Sequence, residues 1–385
     1  MICSILDNDL YKFTMQNAVI NLFPRAKVHF KFINRSNTKF PENFDKDLRK
    51  LVNQMANLQL TDDEKDFLVK KCYYLPPTYI DFLKGYRYNP NEVEISQTNG
   101  DLQIDIKGYW YRTILWEVPL MAMISELFFE KTKPETYSQE KNEAIIRQKA
   151  AIFNGLQISF ADFGTRRRFS FDNHDFVVKT LKSTTNSFVG TSNVYLAFKH
   201  SLTPIGTHAH EWFMFHAAKY GFKIANKLAM ENWVKIYRGD LGIALSDTFT
   251  SNAFFLAFDT KLAKLFDGVR QDSGNPVEFG YKTIEHYKKL NIDPRSKTII
   301  FSDALNTQKV EELTKEFKGK INISFGIGTN LTNDIGAKPL NIVIKIVEAL
   351  PEGRDWIPTV KLSDTKGKYT GDKEMIDIAK KILNV

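Results

Sequence analysis

Hydrophobic and polar positions change their spacing twice along the chain. Near the start, Asp7 or Asp9 can cap a helix that runs through about Asn21. AKVHFKFI, residues 26–33, then alternates as a strand does. Helical patterns return near 45–57 and 62–72, the second opened by Thr61 and Glu64 at capping-box spacing. In VEISQTNGDLQIDI, Asn99-Gly100 stands between two alternating runs and predicts a tight hairpin turn. Near residue 115 the pattern becomes that of long helices. From about 157 it becomes short apolar runs: QISF, SFVG, LGIAL, LFDGVRQ, KTIIFS, INISFG and NIVIKIV. Helices are expected between them at 252–266, 277–290 and 306–318.

Strands alternating with helices predict an α/β fold, here an irregular parallel α/β barrel over 116–385 behind an N-terminal mixed α/β domain over 1–115 that can also recruit C-terminal segments. An open doubly wound sheet is the competing topology. In either case the polar loops that end the strands (DFGTR, GTSN, SDTF, QDSGNP, SDALN and GIGTNLTND) share one face, so residues distant in sequence converge. Internal repeats, heptads and low-complexity tracts are absent from the sequence.

Composition narrows the class. The chain has 385 residues, 43% hydrophobic, with 53 Lys/Arg against 45 Asp/Glu, a formal charge of +8 and a pI near 9.1. The basic residues are dispersed rather than blocked, which suits small acidic substrates at least as well as nucleic acid. Cys3 and Cys72, the only cysteines, lack metal-site or disulfide-scaffold spacing. MICSILDNDLYKF has no signal-peptide plan, and no apolar run reaches spanning length, so a cytoplasmic protein without a membrane partner is expected.

Four segments carry chemistry. FADFGTRRRFS, Phe160–Ser170, puts Gly164 and Arg166, Arg167 and Arg168 at a strand-to-helix turn, with Ser170 or Asp172 to cap the next helix. Guanidinium forks match carboxylates and phosphates, so an anion site is one reading and a solvated basic turn the other. In VRQDSGNP, Arg270 and Asp272 are two apart and face one side of a strand, as a reactive pair or a structural salt bridge. FGIGTNLTND offers Gly326, Gly328 and Thr329 as a phosphate cradle, without the dinucleotide fingerprint or the Walker lysine. PIGTHAHEWFMFH contains His208, His210 and His216. No HExxH occurs, and His210 and His216 diverge on a helix, which speaks against zinc. A histidine at a loop-helix junction can act as a nucleophile, and the bland alternative is a core histidine.

Taken in order, LDNDLYKFTM, FINRS, DFGTRRR, GTSN, GTHAHEW, SDTF, RQDSGNP, FSDALN, FGIGTNLTND and KPLNIVIKI resemble the motif set of the nicotinate phosphoribosyltransferase family, from about residue 6 to 368. The resemblance implies a type II phosphoribosyltransferase-like barrel. It also implies transfer of phosphoribosyl from phosphoribosyl pyrophosphate to nicotinate in NAD biosynthesis, coupled to ATP hydrolysis through a phosphohistidine, with Mg²⁺. It further implies a homodimer with shared sites and no nucleic-acid partner. Matched residue by residue, His210 is the phosphorylated histidine, oriented by Glu211, and Asp247 and Asp272 are catalytic. Phe163 and Tyr11 (Tyr11 from the partner chain) sandwich the pyridine, and Arg166 faces substrate anions. Arg270 and Asp303 hold ribose and pyrophosphate, Gly326, Gly328 and Thr329 cradle the 5′-phosphate, and Arg35 helps across the dimer. The resemblance leaves the metal ligands unassigned. Ser192 stands where nicotinamide-using relatives carry an acid, which implies preference for nicotinate. Asn333 replaces an arginine of those relatives, which leaves its phosphate role open. A sugar-phosphate aldolase or isomerase should supply a strand-end Schiff-base lysine or proton-abstracting acid, and no convincing one is found. A nucleic-acid binder would not need the repeated acidic SD and DSG loops.

Overall fold

The computed structural model describes residues 1–365 and 368–385. Contacts divide the chain into two compact units. The first comprises Met1–Ile20, Val28–Gly206 and Ile327–Lys345, and the second Asn21–Lys27, Thr207–Gly326 and Ile346–Val385.

In the first unit, the helix Leu10–Leu22 is buried on nearly every side, so it is a core element rather than an amphipathic cover. Strands β1 (Lys27–Asn34), β2 (Val93–Thr98) and β3 (Asp101–Tyr109) lie in one sheet, with β3 between the other two. The expected hairpin forms: Thr98 pairs with Asp101, and Asn99 and Gly100 take φ of 50° and 79°, the left-handed pair of a type I′ turn. Thr61 and Glu64 close the capping box on the helix Asp62–Lys71. The change of pattern at residue 115 is not where contacts divide the chain. The helix Glu117–Thr132 packs on Phe44–Gln54 and on the turn Thr165–Arg167, which ties the subsequent βα elements to the first unit. Among these, β4 (Ser159–Asp162) and β5 (Phe188–Thr191) pair in parallel.

In the second unit, a short strand β6 (Arg238–Leu241) leads into β7 (Ile243–Leu245), then β8 (Gly268–Gln271), β9 (Thr298–Phe301) and β10 (Asn322–Ile327). Strands β7 to β10 are parallel neighbours, and Val269 pairs with both Ala244 and Ile299. These three residues are fully buried, as the continuous apolar runs of a covered parallel sheet require. The crossover helices Pro276–Lys289 and Thr307–Phe317 start on the side-chain caps Asn275 and Asn306. The helix expected over 252–266 is two, Ser251–Ala257 and Thr260–Leu265, because the Asp259 carboxylate accepts from Leu262 N–H and begins a second cap.

One strand departs from the expected barrel. NIVIKIV forms β11 (Ile342–Leu350), which runs beside β1 and, in its second half, pairs antiparallel with β12 (Ile357–Pro358). Its sequence signal, a continuous apolar run, is the same as that of a parallel strand. The chain leaves it by a short return around Gly353 rather than a crossover helix, and such a return joins antiparallel strands. Among the described residues no helix is long and apolar enough to cross a membrane.

Candidate functional site

The sequence-predicted residues fall into two groups, one in each unit. In the first unit β4 ends at Asp162, and the chain turns through Phe163 and Gly164 into a single turn, Thr165–Arg167, before Ser170 caps the helix Phe171–Thr184. Asp162 is the organiser of this turn. One carboxylate oxygen accepts from Gly164 N–H at 2.8 Å, and the other meets His174 Nε2 and the Thr191 hydroxyl, each at 2.6 Å. Burial pushes the Asp162 pKa up, but the His174 charge and these hydrogen bonds outweigh it and hold the group ionised. A side chain at Gly164 would strike Thr332, so the close approach demands glycine.

Burial separates Arg168 from Arg166 and Arg167. Arg168 is buried and makes a bidentate pair with Asp7 at 2.7 and 2.9 Å, so it is structural. Arg167 contributes its carbonyl to Asn333 Nδ2 at 2.9 Å. Arg166 is half-buried, with Nη1 3.6 Å from Glu117. Glu117 also receives the buried Lys12 ammonium at 2.5 Å. Burial opposes its charge, yet Lys12, Lys345 and Arg166 bring its pKa down to about 2. Arg35 comes just after β1, and its own pKa is lowered by partial burial and by repulsion from Arg166. Arg35 therefore neighbours Arg166 within one chain. Lys12, Arg35, Arg166 and Lys345 together outnumber the nearby carboxylates of Glu117 and Asp9, which suits an anion.

Ser192, just past β5, is buried and donates to Asp9 Oδ1 at 2.7 Å. Burial raises the Asp9 pKa despite Arg166, Thr165 and Ser192. So position 192 carries no acid, yet an acid stands beside it. From the sequence, Asp9 is legible only as a helix cap. Tyr11 is buried in the first turn of its helix, and Gly206 packs against its backbone N–H. Phe163 N–H donates to the Ile327 carbonyl at 2.8 Å, which brings Gly328 and Thr329 beside the Phe163 turn. Thr329 opens the short helix Thr329–Thr332, and Asn333 after it is buried with its Oδ1 lacking a hydrogen-bond partner.

In the second unit the loops after β7, β8 and β9 bring acids to the first turn of the helix His210–Tyr220. His210 is buried, with Nδ1 2.9 Å from Thr248 Oγ1 and Nε2 3.0 Å from Asp272 Oδ2 and 2.9 Å from Lys361 Nζ. Burial, then Lys361, pull its pKa down to about 4 against Asp247 and Asp272, so the ring is neutral at physiological pH. Glu211 is the next residue on the helix and diverges from His210 by about 100°, so the ring is oriented by Thr248, Asp272 and Lys361. Asp272 also accepts from the Ser302 hydroxyl at 2.8 Å. Burial opposes its charge, but Arg270, His210 and Lys361 hold its pKa well below the usual range. Asp247 is fully buried, with Ser273 Oγ on one oxygen at 2.5 Å, Lys361 3.6 Å away and the other oxygen without a hydrogen-bond partner. Asp303 and Asp364 complete the acidic ring. Burial and the neighbouring acids Asp272 and Asp247 raise their respective pKa values. Gly326 closes the unit at the end of β10.

His208 and His216 are core histidines. His208 Nε2 accepts from Leu245 N–H at 3.2 Å, and His216 lies between the Trp212 carbonyl and Asn232. Sequence reasoning misses Lys361, Thr248, Ser273, Ser302 and Asp364. Thr248, Ser273 and Ser302 stand inside SDTF, RQDSGNP and FSDALN, where only the neighbouring charged residues announce a chemistry, whereas Lys361 and Asp364 stand outside every such motif and Lys361 is 151 residues from His210.

Comparisons with known proteins agree along the whole chain. The model of the nicotinate phosphoribosyltransferase family matches residues 158–385, and that of its N-terminal domain residues 6–125. The chain is 54% identical over 384 residues to the nicotinate phosphoribosyltransferase of Chromohalobacter salexigens, covering 100% of this chain and 98% of that one. It resembles the crystal structure of the enzyme from Porphyromonas gingivalis with a TM-score of 0.98 and 46% identity, each chain covered completely. For a putative nicotinate phosphoribosyltransferase of Saccharomyces cerevisiae the TM-score is 0.92 and the identity 34%, over 100% of this chain and 98% of that one. The α/β class with a parallel sheet and an N-terminal domain stands.

Proposed function

The chain belongs to the nicotinate phosphoribosyltransferase family, and from that membership we propose that it joins nicotinate to the phosphoribosyl group of phosphoribosyl pyrophosphate in NAD salvage, with ATP hydrolysis coupled through phosphorylation of His210. One observation carries the coupling: a buried, neutral histidine with both ring nitrogens oriented, beside a lysine that can receive phosphoryl oxygens. In this reading the pyridine stacks on Phe163 and on Tyr11 of a second copy, Arg166 takes the nicotinate carboxylate, and Gly328, Thr329, Gly326 and Arg35 hold the 5′-phosphate. Asp247, Asp272 and Asp303 stabilise the cationic ribosyl centre that forms as pyrophosphate departs, and Arg270 meets the departing charge. The carboxylates of Asp247 and Asp272 suit Mg²⁺, since both are held ready by hydroxyl donors and Asp247 keeps a buried oxygen without a hydrogen-bond partner. Bound there, Mg²⁺ would neutralise phosphate charge.

Incubation with phosphoribosyl pyrophosphate and either nicotinate or nicotinamide, with and without ATP, tests the reading directly. Nicotinate mononucleotide should accumulate faster with ATP. Equal yields from the two pyridines would contradict the base assignment. Ser192→Asp should lower kcat/KM for nicotinate by about tenfold or more, roughly 1.4 kcal/mol, and raise relative use of nicotinamide. The new carboxylate would lie within hydrogen-bond distance of buried Asp9, so the two acids would share a proton and the donor that Ser192 supplies would be lost. A ratio for the two bases that does not move would show that Ser192 does not face the ring.

The shared-site reading makes a separate prediction. Inactive Tyr11→Ala and inactive Asp272→Ala chains, mixed under conditions where subunits exchange, should regain activity through hybrids with one intact composite site. Proven exchange without recovery would exclude it.

A further inference from the structure

Lysine and aspartate make opposite demands on one ring nitrogen. An ammonium can only donate and a carboxylate can only accept, yet Lys361 Nζ and Asp272 Oδ2 both stand within hydrogen-bond distance of His210 Nε2, at 2.9 and 3.0 Å. The lysine contact requires a lone pair on Nε2, and the aspartate contact requires a proton. The surroundings favour the lysine. With the proton on Nδ1, Thr248 Oγ1 accepts it at 2.9 Å, while Asp272 still receives the Ser302 hydroxyl and faces the charge of Arg270. Asp247 also attracts the ammonium, at 3.6 Å, and lies 3.9 Å from Nε2 itself.

We propose that Lys361 is a positioning residue for His210: it donates to Nε2, fixes the ring as the Nδ1–H tautomer, and so makes Nε2 the nitrogen that receives the phosphoryl group. This rests on the phosphohistidine reading above. The step balances without a further reactant. The Nε2 lone pair forms the bond to the γ-phosphorus of ATP, the bond from that phosphorus to the bridging oxygen breaks, and its electrons leave with ADP. Nδ1 keeps its proton on Thr248, so the phosphoryl group sits on a cationic ring. Lys361, released from Nε2, turns to the phosphoryl oxygens.

The test uses the full chain labelled with ¹⁵N-histidine, the His210 signals being identified by their loss in His210→Asn among seven histidines. Long-range ¹H–¹⁵N spectra should show the proton on Nδ1 in the parent and on Nε2 in Lys361→Met, where Asp272 takes over as acceptor. Lys361→Arg, which keeps a cation, should retain the parent tautomer. A parent ring protonated on Nε2, or a tautomer that does not change in Lys361→Met, overturns the proposal. After ATP exposure the parent adduct should couple ³¹P to Nε2, and its yield should fall at least about tenfold in Lys361→Met. An adduct on Nδ1 overturns the proposal and leaves the phosphohistidine reading intact. Absence of any parent adduct, with the tautomer responding to Lys361 as expected, instead removes the phosphohistidine reading and the phosphoryl half of the proposal. Should Lys361→Met fail to fold, Lys361→Leu, which also lacks a donor, carries the same comparison.

Discussion

His210→Asn is expected to lose ATP stimulation and product-dependent ATP hydrolysis while retaining slow, ATP-independent transfer. The reason lies in which atoms the residue touches. His210 contacts Thr248, Asp272 and Lys361, and no ribose-reacting role is assigned to it, so its removal takes away the energy input rather than the stabilisation of the ribosyl centre. Phosphorylation would place roughly −1.5 to −2 charges beside Lys361, and a change of that size can reorganise the basic side chains around it. Coupling between two sites is typically about 1–3 kcal/mol, or about 5–150-fold, and that stimulation should vanish. Asparagine keeps a polar group near Thr248 without a nucleophilic nitrogen. The measurement is intact-protein mass after brief ATP exposure, read at alkaline pH because phosphohistidine is acid-labile, together with rates with and without ATP. A phosphate adduct that survives in His210→Asn would sink the assignment.

Much of this site is legible in the sequence because its parts are local. The loop-helix junction that presents His210 is readable at Ala209-His210. The Asn99-Gly100 turn, the Thr61 capping box and the parallel strands each announce themselves within a few residues, where periodicity and turn chemistry act. The hidden parts depend on long-range pairing. Lys361, 151 residues from His210, lies in a segment that resembles any exposed basic stretch, and Glu117 looks like an ordinary acid at the start of a helix. β11 lies outside the parallel set expected of it because a continuous apolar run does not reveal its partner. Asp9 looks like a helix cap, since nothing in the sequence says that Ser192 meets it. The RRR run is ambiguous for the same reason: burial takes Arg168 into the core and leaves Arg166 and Arg167 half-buried, and nothing in three identical neighbours announces that.

That division of the arginines yields the largest stability effect expected here. Arg168→Met should destabilise the chain by about 3–5 kcal/mol, the usual cost of stripping one partner from a buried ion pair. Both partners are fully buried, the contact is bidentate, and the site holds two further demands on the same charges: Asn193 donates to Asp7 Oδ1 at 2.7 Å, and Glu126 lies 3.7 Å from Arg168. Without Arg168, Asp7 is left as a buried carboxylate with only neutral donors. Arg166→Met, by contrast, removes a half-exposed side chain and should change stability little while impairing nicotinate binding. Burial pushes the Asp7 pKa up, but Arg168 and the Asn193 hydrogen bond bring it below its ordinary value. This fixes the sign of the pH effect: the pair's contribution is present above the unfolded-state pKa of about 3.9 and is lost as pH falls through the depressed folded value. Arg168→Met should therefore flatten the acid limb of the stability curve as well as lower its plateau. Urea midpoints at one protein concentration, for the parent, Arg168→Met and the Asp7→Asn/Arg168→Met double variant, measure both terms. The double variant should recover part of the loss, because it removes the stranded charge. A midpoint shift for Arg168→Met worth less than about 1 kcal/mol, the range of exposed pairs, would mean that Arg168 is solvated and that the pair with Asp7 is not structural.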